Sequence, residues 1–104
     1  MQFIVIAYDG TDSNAIARRI AVRENHIRQG KAFYDSGQWL YAAGILDEAG
    51  IMIGSMIMCD FPSQTELENQ WLKNEPYIVG KVWEKIEIHR AHVAPFILKG
   101  EKER

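Results

Sequence analysis

A chain of 104 residues, 47% apolar and 25% charged, with a net charge of −2, has the size and composition of one globular domain. That composition excludes a disordered chain, and the absence of a basic block excludes a dedicated nucleic-acid binder, which needs a cationic face. The single cysteine, Cys59, excludes an internal disulfide framework and reads as filler of a core or an interface.

Met1 and Gln2 lead directly into Phe3-Ile4-Val5-Ile6-Ala7, so residues 2–8 read as a strand, far too short to cross a membrane. With no leader ahead of it, the expected location is the cytoplasm, with no membrane partner. Asp9-Gly10-Thr11-Asp12 is a turn cluster, and a calcium loop would need ligands further on that this sequence lacks. Asp12 or Ser13 is placed to cap a helix running to about Asp35, where Ser36-Gly37 stops it. Trp39–Leu46 and Ile51–Cys59 are strands, joined by Asp47-Glu48-Ala49-Gly50 into a hairpin with glycine where a positive φ is required. Phe61-Pro62-Ser63 ends that strand. Ser63 and Glu66 fit the capping box of a second helix, which carries Leu67, Trp71 and Leu72 and stops near Asn74. Val82 to about Ala94 is the last strand. The domain is expected over 1–98, with a charged tail, Lys99–Arg104, that frays.

This order, βαββαβ, is the ferredoxin-like plan. It predicts an α+β protomer with a four-stranded antiparallel sheet and two helices on one face. The other face ought to be polar, yet both faces of the hairpin strands are apolar. Trp39, Tyr41, Ala43 and Ile45 alternate with Leu40, Ala42, Gly44 and Leu46, and Ile53 and Ile57 alternate with Met52, Met56 and Met58. The methionines read as interface filler, and the expected cover is a second copy: a homodimer packed sheet against sheet with two-fold symmetry.

The first long helix carries the most informative pattern. At about 100° per residue, Ile16, Ile20, Ile27 and Tyr34 fall within about 40° of one another and read as the core-facing stripe. Arg23 lies almost inside that stripe, and His26 sits on its shoulder with Arg19 and Gly30. A cation so near the core needs a carboxylate or an anionic ligand, because burying it unpaired costs several kcal/mol. The expected in-chain carboxylate is Glu75, in Glu75-Pro76-Tyr77. The pattern therefore predicts a small polar pocket.

The fold order, the Arg23-x-x-His26 step, and Glu75-Pro76-Tyr77 followed by Gly80-x-Val82-Trp83 together resemble the YciI-like (YCII-related) family of the dimeric α+β barrel superfamily. Ala43-Gly44 and Ile53-Gly54-Ser55 support the match, which spans roughly residues 1–98. The resemblance implies a homodimer with a cleft between sheet and helices on each subunit. It also implies an active site made of a helix histidine and an acidic residue before a Pro-Tyr step, here His26 and Glu75. Many relatives carry aspartate where this chain has glutamate, one methylene longer. Related barrel enzymes include muconolactone isomerases and a dehydrochlorinase of a chlorinated hydroxyquinol, which points to proton transfer on small anionic rings without an organic cofactor.

On this reading His26 is the general acid or base, since an imidazole ordinarily titrates near neutrality. Glu75 orients it or takes a proton itself, and Pro76 restricts the Glu75 backbone to extended forms. Arg23, with Arg19, anchors a substrate carboxylate. Ser55 and Tyr77 are candidate hydroxyl donors, each with a plainer alternative: Ser55 as a small residue bonded locally, Tyr77 packed on Trp83. The wider alternatives are a non-catalytic small-molecule-binding or interaction module using the same cleft, and a structural domain in which an Arg23–Glu75 ion pair closes the cationic stripe and His26 is a half-buried helix residue. No metal is expected: His89 and His92 point to opposite faces of a strand.

Overall fold

The computed structural model describes residues 1–98. Its elements are β1 (Gln2–Asp9), α1 (Ala15–Asp35), β2 (Trp39–Leu46), β3 (Met52–Asp60), α2 (Gln64–Gln70), a 3-10 turn (Leu72–Asn74), α3 (Pro76–Val79), β4 (Trp83–Ala91) and α4 (Pro95–Leu98). All pairings in the sheet are antiparallel and the strand order is β2-β3-β1-β4, the ferredoxin-like arrangement expected from the sequence. The tail expected over Lys99–Arg104 lies outside the described residues.

Register sorts the side chains by face. Phe3, Val5 and Ala7 of β1 pair with Cys59, Ile57 and Ser55 of β3, and all six are buried beneath the helices. Trp39, Phe61, Leu67, Trp71 and Val82 complete this core. Cys59 is fully buried; burial, with Asp60 adding to it, pushes its thiol up to about 12, so it remains a neutral core side chain. On the opposite face Ile4 and Ile6 stand beside Met58 and Met56, only half-buried, and Tyr8 and Tyr41 are exposed. β4 lines the same face with Lys85, Glu87 and His89, which makes that side of it polar.

Several local expectations change. Trp39 does not share a face with Tyr41, because a register shift between them turns Trp39 under the helices and leaves Tyr41 outside. Asn14, not Asp12 or Ser13, precedes α1, with no side-chain cap; the Asp12 carboxylate accepts from the Asn14 N–H at 3.1 Å and forks with Arg18 at 2.7 and 2.8 Å. Ser63 does cap α2, accepting from Glu66 N at 3.1 Å, but α2 ends at Gln70 and not near Asn74. The chain then tightens into the 3-10 turn and restarts as α3, with Glu75 as its N-cap and Pro76 in its first turn. β4 ends at Ala91, not Ala94. Gly50 adopts φ +83° in the hairpin turn, as its place required.

The largest correction concerns α1. Ile16, Ile20, Ile27 and Tyr34 are between 52% and 68% exposed, whereas Ala15, Arg19, His26 and Gly30 are the buried residues. The inward face is thus rotated by roughly a quarter turn from the apolar stripe. The polar shoulder faces in because it has partners there: a carboxylate for Arg19, another for His26, and an indole for Gly30. The Trp39 ring lies so close to Gly30 that a Cβ built there would meet Cζ3 at 2.5 Å. Gly30→Ala should therefore lower stability by about 1–3 kcal/mol by displacing Trp39, although alanine is the better helix former. Denaturant midpoints of the two proteins check this; an unchanged or raised midpoint would contradict the contact.

Candidate active site

Glu75 is the centre of the buried polar structure. Its φ of −64° and ψ of 123° are the extended geometry that Pro76 enforces. Its side chain turns back into the protein and is completely buried. Oε1 accepts from Trp71 Nε1 at 2.7 Å, and Oε2 accepts from the Tyr77 backbone N–H at 2.9 Å and faces His26 Nδ1 at 2.6 Å. A carboxylate oxygen accepts, so Nδ1 is the donor and Nε2 is the free nitrogen of the ring. Nε2 has no hydrogen-bond partner among the described residues. The imidazole is stacked on Tyr77, with centroids 3.8 Å apart and planes 9° from parallel, and meets Trp83 edge-on at 5.8 Å. The longer glutamate therefore reaches the histidine in this chain.

Arg19 belongs to a second buried cluster. Nε and Nη2 fork onto Asp9 Oδ2 and Oδ1 at 2.7 and 3.1 Å, with both side chains 7% exposed. Nη1 reaches Tyr77 Oη, and Nη2 reaches Ser55 Oγ and the Gly54 carbonyl, each at 3.4 Å. The guanidinium carbon sits 4.7 Å from the centre of the Tyr77 ring. Burial acts to lower the Arg19 pKa, but the bonds and charge of Asp9 outweigh it, and the pKa ends raised. Burial also raises the Tyr77 pKa against the opposing pull of Arg19 and Arg23, which keeps the phenol protonated.

Both clusters border one cavity of about 860 Å³ between α1 and the β2–β3 edge of the sheet. His26, Arg19, Ser55 and Tyr77 line it, Trp39 and Tyr34 add aromatic wall, and Ile97 and Leu98 of α4 close one side. Arg23 lines it too. It is exposed and has no ion-pair or hydrogen-bond partner among the described residues. The alternative Arg23–Glu75 pair is absent: Glu75 has turned inward to His26 and Trp71, and Arg23 is exposed at the cavity.

The six residues singled out from the sequence thus gather at one cavity, Glu75 through His26. Asp9 and Trp71 were missed. Asp9 had a signal: it shares the strand parity of Phe3, Val5 and Ala7, so an acidic side chain points toward the core side. Trp71 is four residues before Glu75, with an indole N–H that needs an acceptor when buried.

The model of the YCII-related domain matches residues 1–92. The chain belongs to the YCII-related family. No curated protein matches this YCII-related chain. Among solved structures it is similar to 5-chloro-2-hydroxyhydroquinone dehydrochlorinase from Burkholderia phenoliruptrix, in complex with 2,5-dihydroxybenzoquinone. That match has a TM-score of 0.75 at 15% identity and covers 92% of this chain and 98% of the other. At that identity the likeness concerns the fold.

The geometry separates the two carboxylate readings experimentally. Glu75→Ala orphans Trp71 Nε1, the Tyr77 N–H and the buried His26, and should cost about 3 kcal/mol or more. Arg23→Ala should stay within about 0.5 kcal/mol of wild type, as for an unpaired surface cation. Urea denaturation of both variants checks this; equal, large losses would restore the Arg23–Glu75 pair.

Proposed function

We propose that this YCII-related protein is a small acid–base enzyme, free of organic cofactor, that moves protons on a planar anionic molecule. One observation carries the reading: the His26–Glu75 contact of 2.6 Å sets Nδ1 as donor to the carboxylate while the ring lines an open cavity with Nε2 unpartnered among the described residues. That is the arrangement of a general base with an orienting carboxylate. In the proposed step His26 Nε2 takes a proton from a substrate carbon beside a carbonyl, and Glu75 stabilises the imidazolium through Nδ1–H. Isomerisation follows if that proton returns to another carbon. Elimination follows if a leaving group departs with its bonding pair, so that the net loss is one proton and one anion.

The lining of the cavity supports the substrate class. Trp39 and Tyr34 offer aromatic surface for a ring, and Arg23, which has no ion-pair partner among the described residues, is the cation for an anionic substituent. The structural neighbour at 15% identity, a dehydrochlorinase captured with a dihydroxybenzoquinone, supports a compact quinoid or phenolic ring as the first compound to try. We further propose a cytoplasmic homodimer formed through the apolar outer sheet face around Ile4, Ile6, Met56 and Met58. Among the described residues no helix is long and apolar enough to cross a membrane.

A panel of halogenated hydroxyhydroquinones and lactone carboxylates, followed by halide release and ultraviolet spectra, tests the reading. A substrate should appear, with kcat falling about a hundred- to ten-thousand-fold in His26→Ala. Arg23→Ala should raise KM by about tenfold and leave kcat nearly intact, as loss of uniform binding does. Saturable binding with no turnover of any compound, or a His26→Ala rate equal to wild type, would favour a binding module instead.

A further inference from the structure

Arg19 was expected to share the work of binding an anion with Arg23, but its surroundings assign it a different task. Asp9 takes Nε and Nη2 in a fork at 2.7 and 3.1 Å, and both partners are 7% exposed, so the charge of Arg19 is balanced within the protein. What Arg19 has left to give goes to the Gly54 carbonyl and to two hydroxyls. Tyr77 Oη and Ser55 Oγ each lie 3.4 Å from a guanidinium nitrogen and each accepts from it. A hydroxyl that accepts retains its own O–H to donate. Neither hydroxyl has an acceptor among the described residues, and both residues line the cavity beside His26.

We propose that Ser55 and Tyr77 form a two-hydroxyl cradle for a carbonyl or phenolic oxygen of the substrate, polarised by Arg19, which Asp9 holds in place. This rests on the acid–base reading of the same cavity and names the group on which negative charge develops. A hydroxyl that accepts from a cation is a stronger donor than a free one. Fixed donors aimed at an oxygen that gains charge in the transition state are worth more than donors that must reorganise. Because Asp9 cancels the formal charge, the cradle suits an oxygen that is neutral in the ground state and becomes an enolate or phenolate. The standing anionic group of the substrate goes to Arg23. The substrate class is therefore a ring compound with two unlike oxygen functions: a fixed anion and an enolisable carbonyl or phenol. On this assignment Ser55 and Tyr77 touch substrate, while Arg19 and Asp9 are positioning residues.

Para-nitrophenol is a suitable probe, because its visible absorption distinguishes phenol from phenolate. Bound to the wild-type protein, it should ionise about one pH unit or more below the free dye, as hydrogen bonding to the charged form requires. That shift should be largely lost in Ser55→Ala and in Tyr77→Phe, which keeps the ring stacked on His26, and abolished in the double variant. Asp9→Asn should reduce it with the dye still bound, and Arg23→Ala should preserve it. Circular dichroism confirms that each variant is folded. If Tyr77→Phe does not fold, Ser55→Ala alone decides. A shift that survives loss of the hydroxyls and vanishes in Arg23→Ala overturns the cradle and leaves the acid–base reading standing. A dye that binds with no shift also overturns the cradle alone. A dye that neither binds nor perturbs the His26 resonances overturns both.

Discussion

The structure depends on one buried carboxylate. Glu75 has no solvent exposure, and its two oxygens face donors from three places: the indole of Trp71, the backbone N–H of Tyr77 and the imidazole of His26. A carboxylate withdrawn from water is tolerable only when its oxygens are satisfied in this way. The same bonds fix the geometry around it. They stop the chain after the 3-10 turn, start α3 with Pro76 in its first turn, and tie α1 to the segment that follows α2. They also orient an imidazole that would otherwise flip, which is why a single residue links the fold to the proposed chemistry.

A second constraint explains why α1 lies as it does. Burying Ile16, Ile20, Ile27 and Tyr34 would gain apolar contact, yet all four stay more than half exposed, Ile27 and Tyr34 bordering the cavity. The inward face contains Arg19 and His26, each matched to a carboxylate, and Gly30, which admits the Trp39 ring. Specific polar pairing and one close backbone approach outweigh the generic preference for an apolar stripe. The result is a helix whose inner side is a cavity wall and whose outer side retains exposed isoleucines. Arg23 sits between the two, exposed and lining the cavity.

The fold was readable because its signals are local and periodic. Alternation marked β2 and β3, Gly50 marked the hairpin turn, and Ser63 with Glu66 marked the start of α2. The polar cavity was readable in part, because cations beside an apolar stripe demand partners. Periodicity alone left the partner of Glu75 open between Arg23 and His26, because that depends on how far a helix rolls on its sheet; the family resemblance pointed to His26. A roll of roughly a quarter turn brings His26 to Glu75 and exposes the stripe. Asp9 escaped notice because Asp-Gly-Thr-Asp reads as a turn, although its strand parity pointed inward. The restart at α3 was hidden because Glu75-Pro76 resembles a helix stop as much as a helix start.

Glu75 accepts from Nδ1 of His26 and leaves Nε2 as the proposed base. Nitrogen-15 NMR of the His26 ring tests this most directly, in the free protein at alkaline pH and with added 2,5-dihydroxybenzoquinone. Expected are the Nδ1–H tautomer and movement of the Nε2 signal as the quinone binds. An Nε2–H tautomer in the wild type, or an Nε2 signal that stays fixed while the quinone saturates the protein, would contradict it.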